Sequence, residues 1–329
     1  MIDILNLEPT KVSRDLKGKY ICIYSIPKAG KTTFASSFPK NLILGFEHGW
    51  NALPGVRAID VTRWADLKLI LRQLNTDEAK AMYDTITIDT VGLMWELCEK
   101  YICARNNVSE IGDVPWGQGW AQWKKEFSDC LRSIVQMGYG LVVIAHSTVR
   151  KEKLSNDSEI EILAPNIPNR AYDIVNQLVD IIAYIDVEWD ADGNSRRTLI
   201  TRKTPTVMAG SRYKYLPDKI PFGYEELTNA IADAVDKLEQ EKAGSVTEEK
   251  VTFTEDSESE SMSFEDITEE AQALWKTIVG NDEAKAKEIL KITEKIFGVP
   301  TRLSSITPEQ KDLFYLVLVE MRDLANKQK

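Results

Sequence analysis

The stretch that most restricts what this chain can fold into is YSIPKAGKTT, residues 24–33. Gly30, Lys31 and Thr32 supply the end of the phosphate-loop pattern G-x-x-x-x-G-K-[ST], with Ser25 where the pattern's first glycine falls. An apolar run, KYICIYS (19–25), leads into the loop, and TTFASSF (32–38) reads as a short helix behind it. Strand, turn and helix in that order point backbone N–H groups and the positive end of a helix dipole at one spot, which suits a polyphosphate. Ser25, Ile26, Pro27, Lys28, Ala29, Gly30, Lys31, Thr32 and Thr33 are therefore read as the nucleotide-binding stretch. Serine is small enough for a position where glycine mainly provides backbone freedom. In this reading Lys31 reaches the β and γ oxygens and the Thr32 hydroxyl ligates magnesium, so ATP and Mg2+ are the expected cofactors.

Around the loop, apolar strands alternate with helical stretches. NLILGF (41–46), VRAIDV (56–61), DTITID (84–89) and GLVVIAHS (140–147) read as strands. RWADLKLILRQL (63–74), VGLMWELCEKYICA (91–104) and WAQWKKEFSDCLRSIVQM (120–137) read as helices. VDIIAYIDVEW (179–189) and RRTLITRK (196–203) look like an antiparallel pair across a glycine turn, and YEELTNAIADAVDKLEQ (224–240) closes the unit as a helix. This alternation predicts an α/β fold, a mostly parallel sheet with helices on both faces, over residues 1–240. Residues 241–266 are rich in Ser, Thr and acids and read as an acidic flexible linker, or as an acidic partner-binding tail. Residues 246–270 hold ten acids and Lys250, nearly the whole net charge of −10, so the rest is close to neutral and free to carry local basic patches. Three helices over 267–329 form a small helical module without a cluster of catalytic residue types, better suited to docking than to chemistry. Thr307, Pro308 and Gln310 mark one helix start there.

The four cysteines form no C-x-x-C pair and the two histidines, His48 and His146, are too few for a histidine-rich metal centre. No apolar run approaches the ~18 residues of a membrane span, and the first residues lack a secretory pattern, so a cytoplasmic protein without membrane contact is expected.

A nucleotide site also needs a carboxylate to orient the metal. Asp89, ending DTITID, supplies it. Hydrolysis further needs a group to orient or deprotonate water. Glu47 follows the NLILGF strand, where a strand's carboxyl end faces the ligand crevice, and is the general-base candidate; an ordinary turn acid is the plain alternative.

A GKT loop, a strand ending in Glu47-His48, a strand ending in Asp89 and a strand ending in His146 together resemble the RecA-like recombinase ATPases. The likeness is closer to the small RecA-like ATPases of bacteriophages, including the single-strand annealing class, and covers roughly residues 15–235. It implies that Glu47 is the catalytic glutamate and that His146 senses the γ-phosphate and relays it to a DNA-contacting loop. That loop would carry Arg150, Lys151 and Lys153, with bases stacking on Trp116, Trp120 or Trp123; buried packing on one helix face is the other use for these tryptophans. The resemblance also implies that Arg202, Lys203 and Arg212 reach the γ-phosphate of a neighbouring subunit, although a solvated strand edge explains the same cations. Ser25 departs from the family pattern, and so does the lack of an obvious N-terminal polymerisation domain, which leaves rings or short oligomers open beside filaments.

Two functions follow. One is a magnesium-dependent ATPase that forms a homo-oligomer on single-stranded DNA in phage recombination, annealing or replication. The other is a nucleotide-gated adaptor or loader that recruits a protein partner through its C-terminal helices. A metabolic kinase is weaker, since no acceptor-site pattern accompanies the loop.

Overall fold

YICIYS is apolar at nearly every position because both of its faces are covered. In the computed structural model Ile21 and Ile23 enter one hydrophobic cluster while Cys22 and Tyr24 enter another on the opposite side of the sheet. The structure describes residues 9–14, 16, 18–153, 157–189, 192–247, 262–280 and 282–326. They fall into two compact units, one within 9–247 and one within 262–326.

The larger unit runs β1 (Val12–Ser13), β2 (Tyr20–Ser25), α1 (Lys31–Ser36), β3 (Asn41–Gly45), β4 (Arg57–Asp60), α2 (Trp64–Leu74), α3 (Asp77–Met82), β5 (Thr85–Asp89), α4 (Val91–Asn106), α5 (Gln118–Gln136), β6 (Gly140–Lys153) and β7 (Glu159–Pro165). It continues through α6 (Asn169–Leu178), β8 (Ile181–Trp189), β9 (Ser195–Ile200), β10 (Gly210–Ser211), β11 (Lys219–Pro221), α7 (Tyr224–Glu241) and β12 (Val246–Thr247). The main sheet has the order β11-β9-β8-β2-β6-β5-β3-β4. Its six strands from β8 to β4 are all parallel. Helices α2, α4, α5 and α6 cover one face, and α1 and α7 the other. The protein is thus an α/β fold with a mostly parallel, doubly covered sheet, accompanied by a small helical unit. The β8–β9 hairpin forms as the glycine turn predicts, with Ile185 opposite Leu199.

Three expectations need correction. The residues directly after His146, expected to form a DNA-contacting loop, are strand instead: β6 continues to Lys153 and pairs antiparallel with β7. Its residues alternate between half-buried and exposed, a strand pattern hidden in the sequence by the density of charges. Second, the three tryptophans do not share a helix face. Trp116 sits in a turn ahead of α5 with φ 62°, between Pro115 and Gly117, and is 96% exposed. Trp120 is covered by the Arg170 guanidinium at 4.4 Å, and Trp123 is fully buried against Phe127. Third, the expected linker is trimmed at both ends. Helix α7 extends to Glu241, β12 pairs in parallel with β1, and a helix opens at Phe264. That early start follows from a capping box of Ser263 and Asp266. Residues 248–261 of the linker lie outside the described residues.

The smaller unit contains α8 (Phe264–Ile278), α9 (Glu283–Phe297) and α10 (Lys311–Asn326), closed over Ile267, Ala271, Phe314, Val317 and Met321. Arg322 pairs with both carboxylate oxygens of Glu270 at 2.7 and 2.8 Å. The Thr307/Gln310 capping box forms, though its first turn is 3-10.

Phe127 is fully buried and stacked on Trp123, 5.0 Å between centroids. Phe127→Ala is expected to lower unfolding free energy by about 3–5 kcal/mol in a urea titration, the usual range for a buried aromatic truncated to alanine.

Candidate functional site

The site assembles on the edge of the sheet where β2, β3 and β5 end and β6 passes through His146. Residues 26–30 turn between β2 and α1, with Lys28 at φ 64° and Gly30 at φ 101°. Gly30 is needed there: a Cβ would come within 2.6 Å of the Arg197 side chain, in a backbone region that L-residues avoid. Ser25 needs no such freedom. It is the last residue of β2, and its buried hydroxyl donates to the Ile185 carbonyl of β8 at 2.6 Å. The hydroxyl therefore ties the loop's start to the neighbouring strand, a bond glycine could not make.

Lys31 is buried, and its Nζ donates to the carbonyls of Ile26 at 2.8 Å and Ser25 at 3.3 Å. Burial pulls its pKa below the ordinary lysine value, partly countered by the nearby Asp89 and Glu47 carboxylates. Thr32 Oγ1 donates to Asp89 Oδ2 at 2.7 Å, linking the first turn of α1 to the end of β5. Asp89 is fully buried, and desolvation raises its pKa despite that bond.

Two observations show that this corner fits a divalent cation. Asp89 Oδ1 is buried without a hydrogen-bond partner among the described residues. A Cβ on Gly49 would lie 3.2 Å from both Thr32 Oγ1 and Asp89 Oδ2, so glycine keeps the corner open. An all-oxygen donor set of two side chains suits Mg2+, which commonly completes its shell with waters and substrate phosphates.

Glu47 and His146 also converge. Glu47 Oε2 stands 3.4 Å from His146 Nε2, and the Glu47 and Phe46 amides donate to the Asp89 carbonyl. His146 Nδ1 is buried without a partner among the described residues. Through Ser25↔His146 pairing, His146 is the last β6 residue in register with the loop strand; from Ser147 onward β6 pairs with β7 instead. His48 points elsewhere, toward Asp60 at 3.1 Å.

The remaining cations are engaged within the chain. Arg150 donates to the carbonyls of Pro165 and Ile167 and to Asn169. Lys151 faces Glu159 at 3.7 Å and Lys153 faces Asp157 at 2.7 Å. Arg202 binds the Tyr213 and Lys214 carbonyls, Lys203 binds Glu152, and Arg212 binds Asp180 and the Gln177 carbonyl. β9 ends at Ile200, so Arg202 and Lys203 lie past the strand they were expected to end. None of these is brought to the loop. The cation that is brought there, Arg197, was missed. The chain places Arg196 and Arg197 in the predicted hairpin, and only the strand register decides which of them meets the loop.

A glycine turn between strand and helix, a lysine inside it, and a hydroxyl and a buried carboxylate facing each other beside it define a P-loop nucleotide-binding domain. Residues 17–213 match the family model described as an AAA domain, and the chain belongs to that family. It is similar along nearly its whole length to the SPbeta prophage-derived uncharacterized protein YorG of Bacillus subtilis (strain 168), 30% identical over 98% of each chain. Among solved structures, a KaiC-like protein from Pyrococcus horikoshii OT3 aligns at 13% identity and a TM-score of 0.36, covering 63% of this chain and 85% of that one. Among the described residues no helix is long and apolar enough to cross a membrane.

The raised pKa of Asp89 sets a pH dependence. The folded state holds that proton more tightly than the unfolded chain, so this group's contribution to stability falls as pH rises from the ordinary carboxyl range through the folded pKa. Asp89→Asn is expected to be more stable than wild type at neutral pH without nucleotide, the gap narrowing as pH approaches ~4. Thermal melts of both proteins across pH check this.

Proposed function

We propose that the chain is a magnesium-dependent ATPase of bacteriophage type that assembles as a homo-oligomer on single-stranded DNA and serves recombination, annealing or replication in the host cytoplasm. The observation that carries the hydrolytic part is the convergence of Lys31, Thr32, Asp89, Glu47 and His146 at one edge of the sheet. In this reading the loop amides and Lys31 hold the phosphates. Thr32 and Asp89 hold the metal, which when bound neutralises developing charge on the phosphate oxygens. Glu47 orients and deprotonates the attacking water, and His146 positions Glu47. The phage setting is supported by the prophage relative, which is matched end to end.

The DNA part rests on the ribbon of β6 and β7, which begins one residue past His146 and whose Arg150, Lys151 and Lys153 would have to exchange the Pro165 and Ile167 carbonyls, Glu159 and Asp157 for phosphates. Single strands would be held through their phosphates, so binding would weaken with salt. Arg202, Lys203 and Arg212 would act on a neighbouring subunit only by exchanging the partners they have at home.

One observation favours the second reading, a nucleotide-gated adaptor. The C-terminal unit holds a mostly apolar cavity of about 480 Å³ lined by Ala271, Trp275, Ile289, Leu303 and Phe314, with room for a partner's side chains.

ATP turnover measured for wild type and Glu47→Gln across a single-stranded DNA titration separates these. Glu47→Gln should keep its ATP affinity and lose roughly 10²-fold or more in turnover. Equal turnover in both would remove Glu47 from the mechanism. Wild-type turnover indifferent to DNA would remove the DNA part and leave the adaptor.

A further inference from the structure

The strand order divides the loop's surroundings into two sides. β2 has β6 on one side and β8 on the other. Glu47, Asp89 and His146 all belong to the β6 side, at or just beyond the ends of β3 and β5 and within β6. A triphosphate whose terminal phosphate meets Lys31, Thr32 and Asp89 therefore directs its nucleoside end toward the β8 side.

On that side the chain has built a stack. Phe34 of α1 packs on Phe222 at 5.7 Å between centroids, and the Arg197 guanidinium lies over the Phe222 ring at 4.7 Å. Arg197 Nη1 donates to the Ala29 carbonyl at 3.3 Å, which fixes the guanidinium at the lip of the loop. Both residues also press on Gly30, where a Cβ would be 2.6 Å from Arg197 and 3.4 Å from Phe222. Arg197 remains exposed, and no carboxylate pairs with it among the described residues. The arrangement differs from that of Arg202, Lys203 and Arg212, each held by an acid or by carbonyls away from the loop.

We propose that Arg197, backed by Phe222, is the wall against which the nucleoside of the bound nucleotide stacks. A guanidinium plane offers a flat, weakly hydrated face to a heterocycle, and an aromatic ring behind it holds that plane in place. Stacking of this kind tolerates any base and strengthens with its π surface, so it confers affinity for nucleotides over bare polyphosphate. This inference rests on the nucleotide reading of residues 25–33, and the test separates the two.

Calorimetry with Mg-ATP and with magnesium tripolyphosphate, which has the phosphates and no nucleoside, is the experiment. Arg197→Gln changes an exposed side chain, and Phe222→Leu keeps bulk against Phe34 while removing the ring face. Each is expected to weaken ATP about tenfold and to change tripolyphosphate less than about twofold. Arg197→Lys, which retains the charge but loses the plane, should behave like Arg197→Gln. Unchanged ATP affinity in Arg197→Gln and Phe222→Leu overturns the proposal. So does an equal loss for both ligands in Arg197→Gln, since a phosphate contact would give that result. Lys31→Ala should weaken both ligands; a wild-type protein that binds neither overturns the nucleotide reading itself.

Discussion

The 2.7 Å hydrogen bond from Thr32 to Asp89 is the contact on which the rest of the site depends. It joins the helix that follows the loop to a strand two places away in the sheet, across β6. A buried carboxylate is expensive to ionise, and among the described residues this one has a single side-chain donor, Thr32, and one bare oxygen. The fold sustains it because β5 is packed on both sides by parallel neighbours and the amides of Phe46 and Glu47 hold its last carbonyl. The same amides set where Glu47 leaves its strand, so the candidate metal ligand and the candidate base are located by one local network.

Ser25 shows how a departure from a motif can be absorbed. Glycine at the head of such a loop provides freedom that this backbone does not use, because the left-handed residues are Lys28 and Gly30. The hydroxyl instead secures β2 to β8, which in turn carries β9 and Arg197. The loop is thereby braced from the β8 side by a side chain and from the β6 side by His146 pairing with Ser25.

Much of this was legible in the residues. That the loop, Asp89 and Glu47 come to one edge was readable because each is a polar group ending an apolar run, and parallel strands bring such ends together. The hairpin at 179–200 was readable from its glycine turn. What escaped was set by pairing rather than by local pattern. The strand character of 147–153 is masked by four charges, and it exists because β7 is there to accept it. Arg197 differs from Arg196 only in which face of β9 it occupies, and a one-residue shift of register would exchange them. Trp116, Trp120 and Trp123 have helical spacing, but the turn at Pro115–Gly117 takes the first off the helix. The cations at 202, 203 and 212 have local partners contributed by distant segments, which no reading of their own neighbourhood would reveal.

One strand belongs to two sheets. The inner half of β6 is locked between β2 and β5, whereas the backbone of its outer seven residues, Ser147–Lys153, pairs with β7, and side chains tie Arg150 to Asn169 and Glu152 to Lys203. At about 3.3 Å per residue that outer arm reaches about 23 Å from its fulcrum. A tilt of roughly 5° at the fulcrum carries the tip about 2 Å by that reach. A tilt at the Glu47–His146 pivot would thus grow along the arm, as a lever magnifies the motion of its fulcrum, and would be felt first where side chains moor it, at Arg150 on the Ile167 carbonyl and at Glu152 on Lys203.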